Sequence, residues 1–325
     1  MQIYPIKFDP ILKEKPWGGS KLNTLLHKKA SDQPIGESWE ISGLQGDETL
    51  VNNGRYRDRT LSSLIAQFGQ ELLGEKNYKR FGNEFPLLIK FLDAQSNLSV
   101  QVHPDDTMAK ALHNAKGKTE MWYVVDHEKD AEIIVGLDKT IHSTRVLADI
   151  TKQNVYDVFN VEQVCKGDVY FIPAGEVHAI GAGVLAAEIQ QTSDITYRVY
   201  DWDRVDAQGQ KRALHIPQSI AATKQTHNTA KKKYANSGNG STEVVSCPYF
   251  TTNVLAVNST LERQYDTLDS FVILMCVEGE ATITVHDQQE KIEMGTSILL
   301  PAQALQATFT SSKARFLEVY INSSM

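Results

Sequence analysis

The chain is poor in cysteine. Among its 325 residues there are three, Cys165, Cys247 and Cys276, far apart and with no Cys-x-x-Cys pair. That count argues against a disulfide framework and for a reducing compartment. Long apolar runs are also missing. The longest, FVILMCV from Phe271 to Val277, suits a buried strand and falls far short of a membrane span. The opening MQIYPIKFDP lacks the apolar core of a signal peptide, so a cytoplasmic protein with no membrane partner is expected. Nor is there a surplus of positive charge: 33 basic residues face 40 acidic ones, a net charge of -7. This excludes a broad nucleic-acid or anionic-membrane surface, although a local pocket need not follow the global sign. The length exceeds one small core, so two domains are expected.

Periodicity fills in the organisation. Trp17, Gly18 and Gly19 read as a turn after short strands. RTLSSLIAQFGQELLG, Arg59 to Gly74, has helical spacing in Leu61, Leu64, Ile65, Phe68 and Leu72. PLLIKFLDAQSNLSVQV, Pro86 to Val102, reads as two strands around a polar turn. In its second half, Leu98, Val100 and Val102 alternate with Ser99, Gln101 and His103, so the three polar side chains share one face. A short helix follows, with Pro104 at its start and Asp105 and Asp106 in its first turn. Strands return at EMWYVV and AEIIVGL, and a helical patch covers about Ser143 to Phe159. From Val164 onward the pattern is mainly β. Thr226 to Thr242, with its lysine run, reads as a surface loop or linker.

An internal repeat is visible. GDVYFIPAGEVH from Gly167 matches GTSILLPAQALQ from Gly295, pairing Pro173 with Pro301 and His178 with Gln306. The strand–turn–strand runs upstream match loosely as well. A duplicated β domain accounts for both.

GDVYFIPAGEVH has the form G-x5-P-x-G-x2-H, in which a glycine turn feeds a strand and Pro173 and Gly175 shape a tight corner before the histidine. It resembles the second motif of the cupins, whose histidine points into a jelly-roll barrel and binds metal. Gln101-Val102-His103 takes the place of the first motif's H-x-H, and Glu120 in GKTEMWY supplies its acid. The fold expected is therefore mainly β: two cupin (jelly-roll) β-barrels with helical insertions in the N-terminal half. Residues 1–240 would form the catalytic cupin domain and 241–325 a second, degenerate one. His103, Glu120 and His178 make a His₂Glu set that suits Zn²⁺, one per chain, although ligand type alone leaves iron, manganese and cobalt open. Gln101 stands beside them as a fourth, neutral oxygen ligand or as a residue orienting a neighbour. Gln303 and Gln306 replace the glycine and histidine in the second repeat, so that barrel is expected to be metal-free. His27, His113, His127 and His227 sit in polar or helical contexts and read as surface residues.

NLSVQVHPDD, GKTEMWY, IPAGEVHAI and EIQQTSDITYRVYDWDR together resemble the type I mannose-6-phosphate isomerases in their shorter bacterial form. Order and spacing agree over most of the chain. The resemblance implies zinc held by Gln101, His103, Glu120 and His178, Arg198 as the active-site arginine, and Ser99, Lys90 and Lys118 near the sugar phosphate or its hydroxyls. It implies a small-molecule sugar phosphate as partner. A monomer or weak homo-oligomer is expected. Longer family members carry a histidine where this chain has Gly117, so a proton-transfer role for that histidine cannot apply.

The implied reaction moves a carbonyl between C1 and C2 through a cis-enediol. It needs an electrophile at the oxygens, a base at the carbons and a phosphate anchor. Zinc would be the electrophile, and Arg198 would stabilise the enediolate or clamp the substrate with its planar, permanently charged fork. Thr196, Arg198 and Tyr200 are expected on one strand face. Glu188, Asp194 and Lys118 are candidates for the base, with Glu188 favoured because LAAEIQQ reads as an inward-facing strand. Competing readings are a non-catalytic sugar-phosphate sensor on the same double-cupin scaffold and an iron-dependent cupin dioxygenase. GAGVLA, Gly181 to Ala186, mimics a dinucleotide fingerprint but has no helix after it.

Overall fold

The structure is a computed structural model that describes residues 1–28, 34–224, 230–235 and 238–322. His227 and part of the Thr226 to Thr242 segment lie outside the described residues. In chain order the first half contains β1 (Ile6–Asp9), β2 (Ile11–Gly19), α1 (Lys21–Thr24), β3 (Ile35–Ile41), a small hairpin of β4 (Gly43–Leu44) and β5 (Asp47–Glu48), and β6 (Leu50–Val51). Three helices follow, α2 (Leu61–Phe68), α3 (Gln70–Leu73) and α4 (Glu75–Phe81), then β7 (Leu87–Asp93), β8 (Val100–Val102), α5 (Asp106–His113), β9 (Glu120–His127) and β10 (Glu132–Leu137). Next come α6 (Val155–Val158), β11 (Phe159–Gln163), β12 (Val169–Ile172), β13 (His178–Ile180), β14 (Val184–Gln191), β15 (Tyr197–Tyr200), α7 (Ile216–Ala222) and β16 (Lys231–Lys232). The last part is all β: β17 (Gly240–Ser246), β18 (Thr251–Val257), β19 (Thr260–Gln264), β20 (Val272–Val285), β21 (Gln288–Glu293), β22 (Ser297–Leu300), β23 (Gln306–Thr310) and β24 (Ala314–Tyr320).

The strands pair into antiparallel jelly-roll sheets. One sheet runs β16-β12-β9-β14-β7-β3-β2 and faces a second, β11-β10-β13-β8-β15. The C-terminal half builds a sheet in the order β17-β18-β24-β20-β22-β1-β6, with β19, β21 and β23 attached. Strand β1 thus lends the first residues of the chain to the C-terminal sheet, through Ile6 opposite Leu299. The two large sheets pack back to back. Ile89 and Phe91 of β7, Met121 and Tyr123 of β9 and Ala187 and Ile189 of β14 meet Ile273, Met275, Leu317 and Val319 of the other sheet in one apolar layer. Each fully buried Ile, Leu, Val, Met or Phe side chain in this layer contributes about 1.5–3 kcal/mol.

Because strand side chains alternate, the intervening residues turn the other way. Lys90, Glu120, Trp122 and Glu188 project from β7, β9 and β14 into the space under the five-stranded sheet. On that sheet Val100, Val102, Ala179 and Val199 face outward onto Leu147, Val155, Val158 and Ala222. Gln101 and His178, which pair across β8 and β13, face inward.

Several local expectations change. Trp17–Gly19 ends a strand and is not a turn. A Cβ on Gly18 would lie 2.5 Å from Gly36 N, and one on Gly19 2.6 Å from Asp93 Oδ2, so these glycines allow close strand approach. The helix of Arg59 to Gly74 is broken at Gly69, whose φ is +47°. Gly74 lies against Asp269 of the other half, where a Cβ would be 2.3 Å from its carbonyl. In α5 Asp105 is the N-cap, accepting from Met108 N at 3.0 Å, and Pro104 precedes it. The patch at Ser143 to Phe159 holds a 3₁₀ segment, Thr144–Asp149, and the single turn of α6. Helix α7 was not expected, since its Pro217 marks a helix start only once the flanking residues are known to be helical. Part of the lysine run is a strand: Lys231 and Lys232 pair with Tyr170 and Val169. GAGVLA is the turn after β13, Gly181 to Gly183, and the first three residues of β14.

Candidate active site

His103, Glu120 and His178 converge from three elements of the first jelly roll, with all candidate ligand atoms within 4.8 Å of one another. All three residues are buried. His103 Nδ1 donates to the Ile195 carbonyl at 2.9 Å and His178 Nδ1 to the Glu176 carbonyl at 2.8 Å. Those bonds fix the tautomers and leave both Nε2 lone pairs facing inward, 3.1 Å apart. Each Nε2 is 3.4 Å from a different Glu120 oxygen. A tetrahedral ion with ligands at zinc distances has ligand–ligand edges of about 3.3 Å. Burial, reinforced by the Lys118 charge, lowers the His103 pKa to about 3, and burial lowers that of His178. Both rings are therefore neutral, the form that ligates. Burial would raise the Glu120 carboxyl, but the Lys118 charge holds it well below its ordinary range.

The fit to a cation rests on two buried acceptor oxygens that no donor satisfies. Neither Glu120 oxygen has a hydrogen-bond donor, although both are buried, and its one cationic neighbour, Lys118 Nζ at 2.9 Å, lies out of hydrogen-bonding alignment. Two imidazole lone pairs and an unsatisfied carboxylate pointing at one another are repulsive until a cation sits among them. The cluster is able to bind a metal ion. Gln101 is adjacent, with Nε2 3.5 Å from His178 Nε2 and Oε1 accepting from Ser99 Oγ at 3.3 Å. In this orientation the amide nitrogen faces the cluster, so ligation requires the flipped amide.

A cavity of about 250 Å³ opens beside the cluster. Ser99, Lys90, Lys118, Glu188, Asp194, Thr196 and Arg198, all singled out from sequence, line it together with Gln101. Tyr200 does not share that face. A bulge sets Arg198 opposite Gln101 but Tyr200 opposite Val100, and Tyr200 turns out into the apolar layer with Val199. His127 is half-buried, and His113, though exposed, meets the Tyr197 hydroxyl at 2.7 Å.

The lysines are already engaged. Lys90 Nζ lies 3.3 Å from Glu188 and 3.6 Å from Glu37, over the Trp39 ring at 5.0 Å. Burial would lower its pKa, but these two carboxylates hold it up. Lys118 Nζ is 3.1 Å from His103 Nε2 as well as against Glu120. Glu188 accepts from Trp122 Nε1 at 3.2 Å, and burial, together with the Glu120 charge, raises its pKa. Arg198 donates from Nη1 to the Ala213 carbonyl at 2.9 Å. Its buried Nε has no partner, and burial lowers its pKa.

Sequence reasoning missed Lys15, Glu37 and Arg212, which also line the cavity. The alternation of Glu37 and Trp39 in ESWEIS carried a signal for one of them. Lys15, in the irregular middle of β2, and Arg212, in the loop between β15 and α7, carried none. Gly117 now has a structural account: a Cβ there would lie 2.6 Å from Asp106 N and 2.9 Å from the Pro104 carbonyl. The loop carrying Lys118 and Glu120 hugs the start of α5 too tightly for a histidine.

Known proteins resemble this chain in sequence and fold. The model of the type I phosphomannose isomerase catalytic domain matches residues 6–141, and that of the mannose-6-phosphate isomerase cupin domain matches 240–321. The chain is 36% identical over 310 residues to mannose-6-phosphate isomerase ManA of Bacillus subtilis, covering 93% of this chain and 94% of the relative. It is 35% identical over 300 residues to the mannose-6-phosphate isomerase of Streptococcus mutans, covering 91% and 92%. The crystal structure of the Bacillus subtilis mannose 6-phosphate isomerase superposes with a TM-score of 0.87 at 32% identity, over 99% of this chain and 100% of that one. With relatives this similar matched along nearly its whole length, the chain belongs to the type I phosphomannose isomerase family.

Proposed function

We propose that the chain interconverts mannose 6-phosphate and fructose 6-phosphate in the cavity beside His103, Glu120 and His178, with Zn²⁺ as its metal. The observation that carries this reading is the orphaned Glu120 carboxylate between two tautomerically fixed imidazoles, at the edge of a cavity lined by acids and arginines. Gln101, with its amide flipped, would complete the ligand set. Zinc held there supplies a Lewis acid for the oxygens at C1 and C2.

The chain's own residues do the rest. Glu188 is the best-placed group to carry the proton between C1 and C2, because a carboxyl raised by burial and a neighbouring charge exchanges protons nearer neutrality. Lys90 and Trp122 hold its two oxygens. Asp194 and Lys118 line the same cavity as alternative bases. Arg198, charged and short of acceptors, clamps the substrate with its planar fork. Leu92, Leu98 and Trp17 give the cavity an apolar wall that limits water. We assign catalysis to residues 1–240 and a supporting role to 241–325. Three unpaired cysteines, one of them exposed, fit work in a reducing cytoplasm.

A coupled assay for fructose 6-phosphate, with and without chelator, together with metal analysis, tests the reading. Activity that falls with zinc removal and returns on its addition is expected. A fully metallated protein inert on mannose 6-phosphate would sink it. Arg198→Ala should keep the metal and lose turnover.

A further inference from the structure

The cavity's cations differ in how well their charge is matched. Lys15 faces Glu37 at 3.0 Å, Lys90 faces Glu37 and Glu188, and Lys118 faces Glu120. Arg198 makes no ion pair among the described residues. Beside it, two guanidinium groups share one carboxylate. Arg212 clamps Asp201 with both arms, Nε to Oδ2 at 2.7 Å and Nη2 to Oδ1 at 2.5 Å. Arg204 Nη2 reaches the same carboxylate at 3.2 Å. Arg198 lies in the field of all three groups, repelled by Arg212 and Arg204 and offset by Asp201 alone. The cluster therefore carries two more positive charges than negative ones. Arg198 Nε and Arg204 Nη1 are buried N–H groups without acceptors.

Only Arg198 and Arg212 of the three arginines line the cavity. Asp201 is buried behind them and acts as a brace. It takes one edge of the Arg212 fork and leaves the remaining N–H groups of that guanidinium uncommitted. The loop joining Asp201 to Arg212 is internally hydrogen-bonded. A bridge between Val205 and Lys211 closes the loop, and Asp206 Oδ1 accepts from Gln208 N and Gln210 N. Arg198 is tied to the residue after Arg212 through the Ala213 carbonyl.

We infer that Arg212, held by Asp201, is the residue that reads the phosphate of the substrate, completing with Arg198 a site for a phosphate monoester dianion. This rests on the isomerase reading for its substrate and goes beyond it in naming the specificity residue. A monoester carries about 1.5 to 2 negative charges, which matches the surplus. Guanidinium forks suit its oxygens geometrically. Lys90 and Lys118, the lysines expected from sequence to lie near the phosphate, have their charge engaged by carboxylates. Arg212 touches the non-reacting end of the substrate and serves as a binding group.

The test is Arg212→Gln and Arg212→Lys in the full, zinc-loaded chain. For Arg212→Gln, KM for mannose 6-phosphate should rise about 10- to 100-fold, the loss falling on KM. Competitive inhibition by inorganic phosphate should weaken by a similar factor. Arg212→Lys, which keeps the charge and loses the fork, should fall between. Wild-type KM and phosphate inhibition in Arg212→Gln would overturn the inference, as would a loss confined to kcat. If the unaltered chain proves inert on mannose 6-phosphate, the isomerase reading fails, and calorimetry with inorganic phosphate still decides this point. Weaker binding to Arg212→Gln than to the unaltered chain supports the anion site, and equal binding refutes it.

Discussion

Glu188 and Glu318 occupy matching positions in the two halves of the molecule. Glu188 stands opposite Trp122, which stands opposite Tyr170, three residues after Gly167. Glu318 stands opposite Leu274, which stands opposite Ile298, three residues after the paired Gly295. Both carboxylates are buried and face the interior of their own jelly roll. Their surroundings differ. Glu318 accepts from Tyr265 and both arms of Arg263, and from Asn253 and Ser241, at 2.8–3.0 Å. Its neighbours are otherwise apolar, among them Leu274, Ile298 and Phe316. Glu188 has one indole donor and shares Lys90 with Glu37, while Glu120 repels it. A closed network of this kind rigidifies. An open one leaves polar groups unpaid, which is where chemistry becomes possible.

Removing the metal-type ligands should separate the halves most sharply. His178→Ala should abolish metal retention and fructose 6-phosphate formation, whereas Gln306→Ala, its repeat partner on an exposed strand start, should leave both at wild-type levels by metal analysis and coupled assay. Full metal content in His178→Ala would remove that ring from the site.

The carboxylates themselves come next. Glu188→Gln should lower turnover by about 10²- to 10⁴-fold, the range for a lost proton-transfer group, with no loss of folding stability. Glu318→Gln should leave turnover near wild type but cost about 3–5 kcal/mol in urea unfolding, since Arg263 is left uncompensated. Equal kinetic damage from the two substitutions would erase the contrast.

The pH dependence of stability divides the open cluster internally. Burial opposes ionisation of Glu37, but Lys90 and Lys15 prevail and bring its pKa from 4.5 to about 2. Its stabilising contribution is therefore complete above pH 4.5 and is lost as pH falls from 4.5 toward 2. Glu188, raised from 4.5, has the opposite sign: its ionised form is penalised in the folded protein, so it opposes folding as pH rises above 4.5. Unfolding midpoints measured against pH should show a flatter acid limb in Glu37→Gln and a gentler decline above pH 4.5 in Glu188→Gln. Parallel profiles for the two variants would contradict these signs.

The smallest effect concerns the paired glycines. Gly167 and Gly295 have φ values of +90° and +92°, so alanine strains both by about 1–2 kcal/mol. A Cβ on Gly167 meets nothing closer than 3.5 Å, whereas one on Gly295 would lie 2.8 Å from the Leu26 carbonyl. Thermal unfolding should show the greater loss for Gly295→Ala.

Much of the site was legible in the chain because strand periodicity is local. The alternation in LSVQVHPDD put Ser99, Gln101 and His103 on one face, and the structure keeps them there. GDVYFIPAGEVH announced its turn, strand and corner through Gly167, Pro173 and Gly175, whose backbone demands are properties of single residues. The repeat likewise appeared in glycine and proline spacing. Tyr200 was misassigned because a bulge changes strand parity without leaving a mark in the residues that flank it.

The amino-acid order therefore determined the strand pattern, because side-chain direction in a regular strand follows from parity, and its resemblance to the cupin motifs pointed to the metal-type cluster and the acids beside it. Only the tertiary structure decided which charges were already matched. Lys90 became a buried partner of Glu37 and Glu188, Glu318 became sealed, and Arg212 came to stand beside Arg198. Whether a charge is free depends on groups brought together from distant parts of the chain and on the water they exclude, and no local pattern encodes that.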